Sequence, residues 1–302
     1  MSQTPQTKTI YALGLFDGVH LGHQALLTAC RELAQAHACQ AGVVTFTSHP
    51  DALVLGSAPA LINTQGDRKA LLQLYGICNI VELPFDKALM TTHWSAFLTQ
   101  LVEYDAAGFV CGSDFRFGAG GSGTSKKVEA FCNSRSLPCQ IVPQQYLDGV
   151  RISSTHIRSL LENGQVEQAN RFLGHPHVLT GCVAPGQKLG RTMGTPTANL
   201  SVPAGQLCLK HGVYACKAFV EGQVYLAVTN VGMRPTVAGD HVTVESWLLD
   251  FEGDLYGKTL TLEFHKFLRP EVKFDSLEGL KEQIQTDAQQ TRQLLTGEPQ
   301  KV

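Results

Sequence analysis

Apolar positions in the first half of the chain fall into two alternating patterns. TIYALGLF (9–16), AGVVTFTS (41–48), NIVELPF and GFVCG are short, near-continuous apolar runs of the kind found in buried parallel strands. Between them, HQALLTACRELAQAHA, DRKALLQLYG and HWSAFLTQLVEY repeat apolar residues at three- and four-residue spacing, as amphipathic helices do. The alternation predicts a parallel sheet with helices on both faces, a Rossmann-like α/β domain. Ligands of such sheets bind beyond the carboxyl ends of the strands. GLFDGVH, TSHPD and GSDFRFGAGGSG each follow a predicted strand directly.

From residue 153 the pattern is helical again. SSTHIRSLLENGQVEQANRFLG reads as one helical segment stopped by Gly174. The rhythm then changes to short β segments between glycine and proline turns: HVLTGCVA, GVYACKAFVE, QVYLAVTNVG, HVTVESWLLD and KTLTLEFHKFL. These predict a small antiparallel β-barrel. The tail SLEGLKEQIQTDAQQTRQLL is a charged amphipathic helix expected to pack on it. The expected domains are 1–176 and 177–302.

Composition agrees with two ordinary domains: 302 residues, 43% hydrophobic and 17% charged. A net charge of −2 argues against a bulk nucleic-acid binder but leaves room for a local anion pocket. Nine cysteines without a C-x-x-C pair read as buried thiols in a reducing cytosol. The polar start MSQTPQTKTI lacks a signal-peptide core, and no run approaches the roughly 20 apolar residues of a membrane span. The expectation is a soluble cytoplasmic protein with small-molecule substrates, engaging neither nucleic acid nor membrane.

The chemistry concentrates in a few stretches. In GLFDGVHLGH a strand ends, a turn follows and a helix begins, so free N–H groups and the helix dipole favour an anion there. Gly14 allows close approach to the backbone, and Gly22 allows a tight helix start. His20 and His23, three apart, can point to one side and donate to phosphate oxygens. RISSTHIR places Ser154 and Thr155 at a helix start between Arg151 and Arg158, either as caps or as a triphosphate clamp. Asp114, Phe115 and Arg116 open a glycine-rich loop suited to contacting a nucleotide, and His49 ends a strand at the same rim.

In the second half, Thr197 and Asn199 of PTANL are two apart in an extended segment and face the same way. A hydroxyl and an amide oxygen suit Mg²⁺ that keeps waters and phosphate oxygens in its shell. Glu245 is the only carboxylate of its short β run before Asp250, a candidate general base or a salt-bridged barrel glutamate. Gly186, Gly190 and Gly194 could form a loop around a ligand.

GLFDGVHLGHQ, TFTSHP, GSDFRFG and ISSTHIR, in that order, resemble the N-terminal module of the bacterial bifunctional riboflavin kinase/FMN adenylyltransferase (FAD synthetase) family. PTAN, NVGMRPT, DLYG and RPEVKFDSLEGLKEQI resemble its riboflavin kinase module. The resemblance covers about residues 9 to 295. It implies ATP over the H-x-G-H turn, contacted by Gly14, Phe16, Asp17, His20, His23, Arg151, Ser154, Thr155 and Arg158, with FMN presented to its α-phosphate. It implies transfer of the γ-phosphoryl of MgATP to riboflavin in the second half, with Glu245 as base, Thr197 and Asn199 on the metal, and Arg234 near ATP or flavin. FMN and FAD enter as substrate and product. Two positions depart from the family pattern: Trp247 stands where a histidine is frequent, and Thr195 precedes PTAN where an aromatic is common. Leu15 occupies a variable position. An enzyme with one active module, or a flavin-binding regulator without turnover, are the alternatives the sequence leaves open.

Overall fold

The computed structural model describes residues 8–184, 196–236 and 239–296. They form two compact units: Met1–Leu61 with Arg68–Ser154, and Ile62–Asp67 with Thr155–Val302. Gly186, Gly190, Gly194 and Thr195 lie outside the described residues.

The strands of the first unit are β1 (Thr9–Leu13), β2 (Gln40–Phe46), β3 (Asn79–Leu83), β4 (Ala106–Gly112), β5 (Arg116–Phe117), β6 (Gly123–Thr124), β7 (Cys139–Val142), β8 (Tyr146–Leu147) and β9 (Val150–Arg151). Five of them make a sheet of order β3-β2-β1-β4-β7, parallel throughout. The helices of the chain are α1 (Leu21–Ala36), α2 (Asp51–Val54), α3 (Gln65–Leu74), α4 (Lys87–Thr91), α5 (Trp94–Tyr104), α6 (Ser125–Asn133), α7 (Ser154–Glu162), α8 (Val166–Leu173) and α9 (Leu277–Thr296).

Alternation along β1 sends Tyr11 and Leu13 to the face covered by Phe97, Leu98 and Leu101 of α5 and Val128 and Phe131 of α6. Ile10 and Ala12, on the opposite face, are also fully buried, and α1 contacts β1, β2, β4 and β7. Burial on both faces explains why the sequence shows continuous apolar runs rather than alternation. Since β2 and β4 flank β1 on opposite sides, the chain reverses its winding beside β1, and a crevice opens beyond the strand ends there.

The second unit contains β10 (His177–Cys182), β11 (Thr197–Ser201), β12 (Gly212–Val220), β13 (Gln223–Thr236), β14 (Gly239–Leu248) and β15 (Thr259–Arg269). They form a six-stranded sheet of order β10-β15-β12-β13-β14-β11, and every pairing is antiparallel. It curls into a half-barrel whose first and last strands meet through an Ala184–Asn199 bridge. α9 closes one flank: Ala288 packs with Val213, Val228 and Leu249. Arg269 grips the nearly inaccessible Asp287 through Nε (3.1 Å) and Nη2 (2.8 Å).

Two segments differ from the sequence reading. The single helix expected from residue 153 is broken into α7 and α8 at Gly164, whose φ of +76° is left-handed. A Cβ there would lie 2.8 Å from Lys210 Cδ, so packing as well as backbone geometry holds the break. Gly174 ends α8 in a left-handed cap as expected. The glycine-rich GSDFRFGAGGSG, expected as a loop, closes into the β5–β6 ribbon. Gly118 (φ +71°) lies against Trp94, where a Cβ would meet the backbone at 2.8 Å.

Candidate functional sites

The turn between β1 and α1 is built by unusual backbone. Phe16 (φ 56°), Gly18 (φ 82°) and Val19 (φ 38°) are all left-handed. A buried β-branched residue in that region is strained and needs its surroundings to hold it. Several side chains do so. Thr45 Oγ1 (2.9 Å) and Arg68 Nη1 (3.3 Å) donate to the Leu15 carbonyl. Ser154 Oγ donates to the Asp17 carbonyl (2.9 Å).

His20 caps α1: its Nδ1 accepts the His23 backbone N–H at 3.2 Å. The two rings stack with centroids 3.6 Å apart and planes 8° apart. Gly22 makes this possible, because a Cβ there would meet the His20 ring at 3.2 Å. The pKa of His23 lies well below 6.5, first through burial and then through the neighbouring His20 and Arg68. Its Nδ1 is buried without a hydrogen-bond partner. His23 therefore enters the site as an uncharged ring.

These groups border a cavity of about 400 Å³ at the carboxyl ends of β1, β2, β4 and β7. Gly14, His49, Asp114, Phe115, Arg116, Arg151 and Ser154 line it together with His20 and His23. Arg151 Nη2 makes a short ion pair with Asp114, which also accepts from Gln144 Nε2 (3.2 Å). The Asp51 amide donates to His49 Nδ1 (3.2 Å), leaving that nitrogen unprotonated in the neutral ring. The 3.6 Å approach of the Asp51 carboxylate to the same atom becomes an ion pair only when His49 is charged. Phe16 and Asp17 are buried in the turn, with the Phe16 ring 5.2 Å from that of His23. Thr155 and the buried Arg158 follow Ser154 on α7, within the second unit.

Sequence reasoning missed Arg68, and also Gln144 and Gln145, which line the cavity. The glutamines carry no motif, and Arg68 reads as an ordinary polar residue of an amphipathic helix.

In the second unit Glu245 on β14 pairs with Asn199 on β11 and with Asn230 on β13. Thr197 pairs with Trp247. Period-two alternation puts Thr197, Asn199, Glu245 and Asn230 on one face, while Ala198, Leu200, Val244 and Ser246 are buried on the other. Asn199 Nδ2 donates to the Thr197 carbonyl (3.4 Å), so its Oδ1 is the group left to ligate a cation. Asn230, which the sequence did not single out, donates to Glu271 Oε1 (3.0 Å). Trp247 packs against the apolar cluster under α9. Arg234 is placed as a backbone position on β13, opposite His241. Among the described residues there is no group of three or more His, Cys, Asp or Glu that could hold a metal ion.

Comparison with known proteins agrees with both halves. Residues 2–156 match the family model for FAD synthetase and residues 173–295 that for riboflavin kinase. Curated bifunctional riboflavin kinase/FMN adenylyltransferases of Listeria monocytogenes and Bacillus subtilis are 33% and 35% identical, each over 94% of this chain and over 91% and 92% of theirs. The Escherichia coli K12 relative is 34% identical over 95% of this chain and 93% of its own. A crystal structure described as a macrolide-efflux protein from Streptococcus pneumoniae matches with a TM-score of 0.86 at 29% identity, covering 96% of this chain and 95% of that one. No helix among the described residues is long and apolar enough to cross a membrane. With an FAD synthetase domain in its first half and a riboflavin kinase domain in its second, the chain belongs to the bifunctional riboflavin kinase/FMN adenylyltransferase family.

Proposed function

We propose that residues 1–176 adenylylate FMN to FAD and that residues 177–302 phosphorylate riboflavin to FMN, each with ATP. The observation that carries this reading is the difference in chemistry between the two sites. The first is a cavity of hydrogen-bond donors around a helix N-terminus. The second centres on a carboxylate between two asparagines.

FMN brings its own nucleophile. A phosphate monoester with a second pKa of about 6 is largely dianionic at neutral pH, so attack on the ATP α-phosphorus needs no base. The protein's task is to align the reactants and stabilise the equatorial and departing pyrophosphate oxygens. His20 and His23 fit that task as hydrogen-bond donors, with Arg151 and Ser154 at the same cavity. The family resemblance adds Thr155 and Arg158, the next hydroxyl and guanidinium along α7. Arg151 reaches phosphate by exchanging Asp114 for the anion, a substitution of one charge-assisted bond for another.

Riboflavin offers only a neutral hydroxyl, a poor nucleophile. Glu245 accepts its proton as the bond from the hydroxyl oxygen to the γ-phosphorus forms and the bond to the β,γ-bridging oxygen breaks, releasing ADP. Mg²⁺ fits the neighbouring oxygen donors, with Thr197 and Asn199 holding it beside Glu245. When bound it would neutralise charge on the transferring phosphoryl group. Trp247, two residues on from Glu245, shares its face and packs against the cluster beneath α9. Nine free cysteines support a reducing, cytoplasmic setting.

A time course with riboflavin and MgATP, resolving riboflavin, FMN and FAD, tests this. FMN should rise first and FAD follow. Absence of both products would sink the reading.

A further inference from the structure

Arg68 is 2% exposed, and such a guanidinium is held only where its donors are used. Nη2 donates to the Phe46 carbonyl at the end of β2 (2.7 Å), and Nη1 to the Leu15 carbonyl at the start of the strained turn (3.3 Å). One rigid fork thus ties the last residue of β2 to the segment that carries Phe16, Val19 and His20. Glu82 at 3.9 Å and the buried carboxylate of Asp17 balance its charge. The Leu15 carbonyl has one further donor, Thr45 Oγ1. Arg68 is buried with both terminal nitrogens on backbone carbonyls, so it acts through the turn and not on a ligand.

We propose that Arg68 is a positioning residue for adenylyl transfer, a clamp that holds the left-handed turn so that His20 and His23 meet the phosphates in register. This rests on the adenylyltransferase reading of the first half. The positive charge beside His23 also opposes protonation of that ring, in agreement with the low pKa of His23. A lysine keeps the charge but presents one nitrogen in place of the rigid two-nitrogen fork. A methionine keeps the apolar stem and neither.

The test measures FAD formation from FMN and MgATP by the full chain, with riboflavin phosphorylation by the same preparation as an internal control. Misplacing reacting groups by about 1 Å costs about 100-fold in rate. Arg68→Met should therefore lower kcat for FAD formation by about 100-fold with the KM for FMN little changed, and leave the kinase rate intact. Arg68→Lys should fall between the two. Unchanged kcat in Arg68→Met, or a rise in KM alone, overturns the proposal. Should Arg68→Met not fold, Thr45→Val removes only the other donor to the Leu15 carbonyl. It should lower kcat several-fold, and a wild-type kcat overturns the clamp. A wild-type chain that makes no FAD sinks the adenylyltransferase reading instead, which keeps the two failures distinct.

Discussion

The His20 imidazole accepts the backbone N–H of His23 through Nδ1 at 3.2 Å, while the two rings lie stacked 3.6 Å apart. An acceptor nitrogen carries no proton, so the cap fixes the His20 tautomer and leaves Nε2–H as its donor. One contact therefore serves both the helix start and the site. The two roles come apart in substitution. His20→Asn keeps an N-cap acceptor and should unfold close to wild type, whereas His20→Ala should lose about 1 kcal/mol. Both remove the donor, and each should slow FAD formation by about 10²–10³-fold, the effect of losing one preorganised donor. Thermal melts and steady-state rates on the two variants check this; full activity in His20→Asn would contradict it.

Glu245 is the kinase base in this account. Glu245→Gln keeps the shape and hydrogen-bonding capacity but cannot take a proton, and should slow riboflavin phosphorylation by about 10²–10⁴-fold. FAD formation from added FMN should be untouched. Parallel assays with each flavin give the answer.

Asp287 anchors α9 to the half-barrel through Arg269, with a further bond from Gln283 Nε2 to Asp287 Oδ1 (3.0 Å). Removing one member of a buried pair strands the other, at about 3–5 kcal/mol. Asp287→Ala should lower the unfolding transition of the second unit and leave the first unit's transition in place. Calorimetric scans of both proteins test the assignment.

His177 is buried in the second unit, and burial, then His175, lowers its pKa from 6.5 to about 3. The unfolded chain takes up this proton near pH 6.5 while the folded chain does not until about pH 3. Protons therefore favour the unfolded state, and the contribution is complete above pH 6.5 and lost as pH falls towards 3. Urea midpoints at several pH values should show a shallower acid decline in His177→Gln than in wild type. Equal slopes would contradict the assignment.

Much of this was legible in the sequence for definite physical reasons. Continuous apolar runs such as that of β1 exist because Tyr11, Leu13, Ile10 and Ala12 are buried on both faces of a parallel sheet. The shared face of Thr197 and Asn199 followed from period two. What stayed hidden depends on register and tertiary contact. Asn230 stands beside Glu245 only because of how β13 pairs with β14. The role of Arg68 lies in carbonyls 53 and 22 residues away. The break at Gly164 leaves only a local mark, a five-residue step from Leu161 to Val166 that turns the apolar face, and it is held by Lys210 from elsewhere in the chain.

The most direct test of the central claim, that two chemically distinct sites act in sequence, is one riboflavin and MgATP time course run on His23→Ala and on Glu245→Gln. The account predicts that His23→Ala accumulates FMN and stops there. It predicts that Glu245→Gln leaves riboflavin unchanged yet makes FAD once FMN is supplied. The reverse pattern, or the same block in both variants, would contradict it.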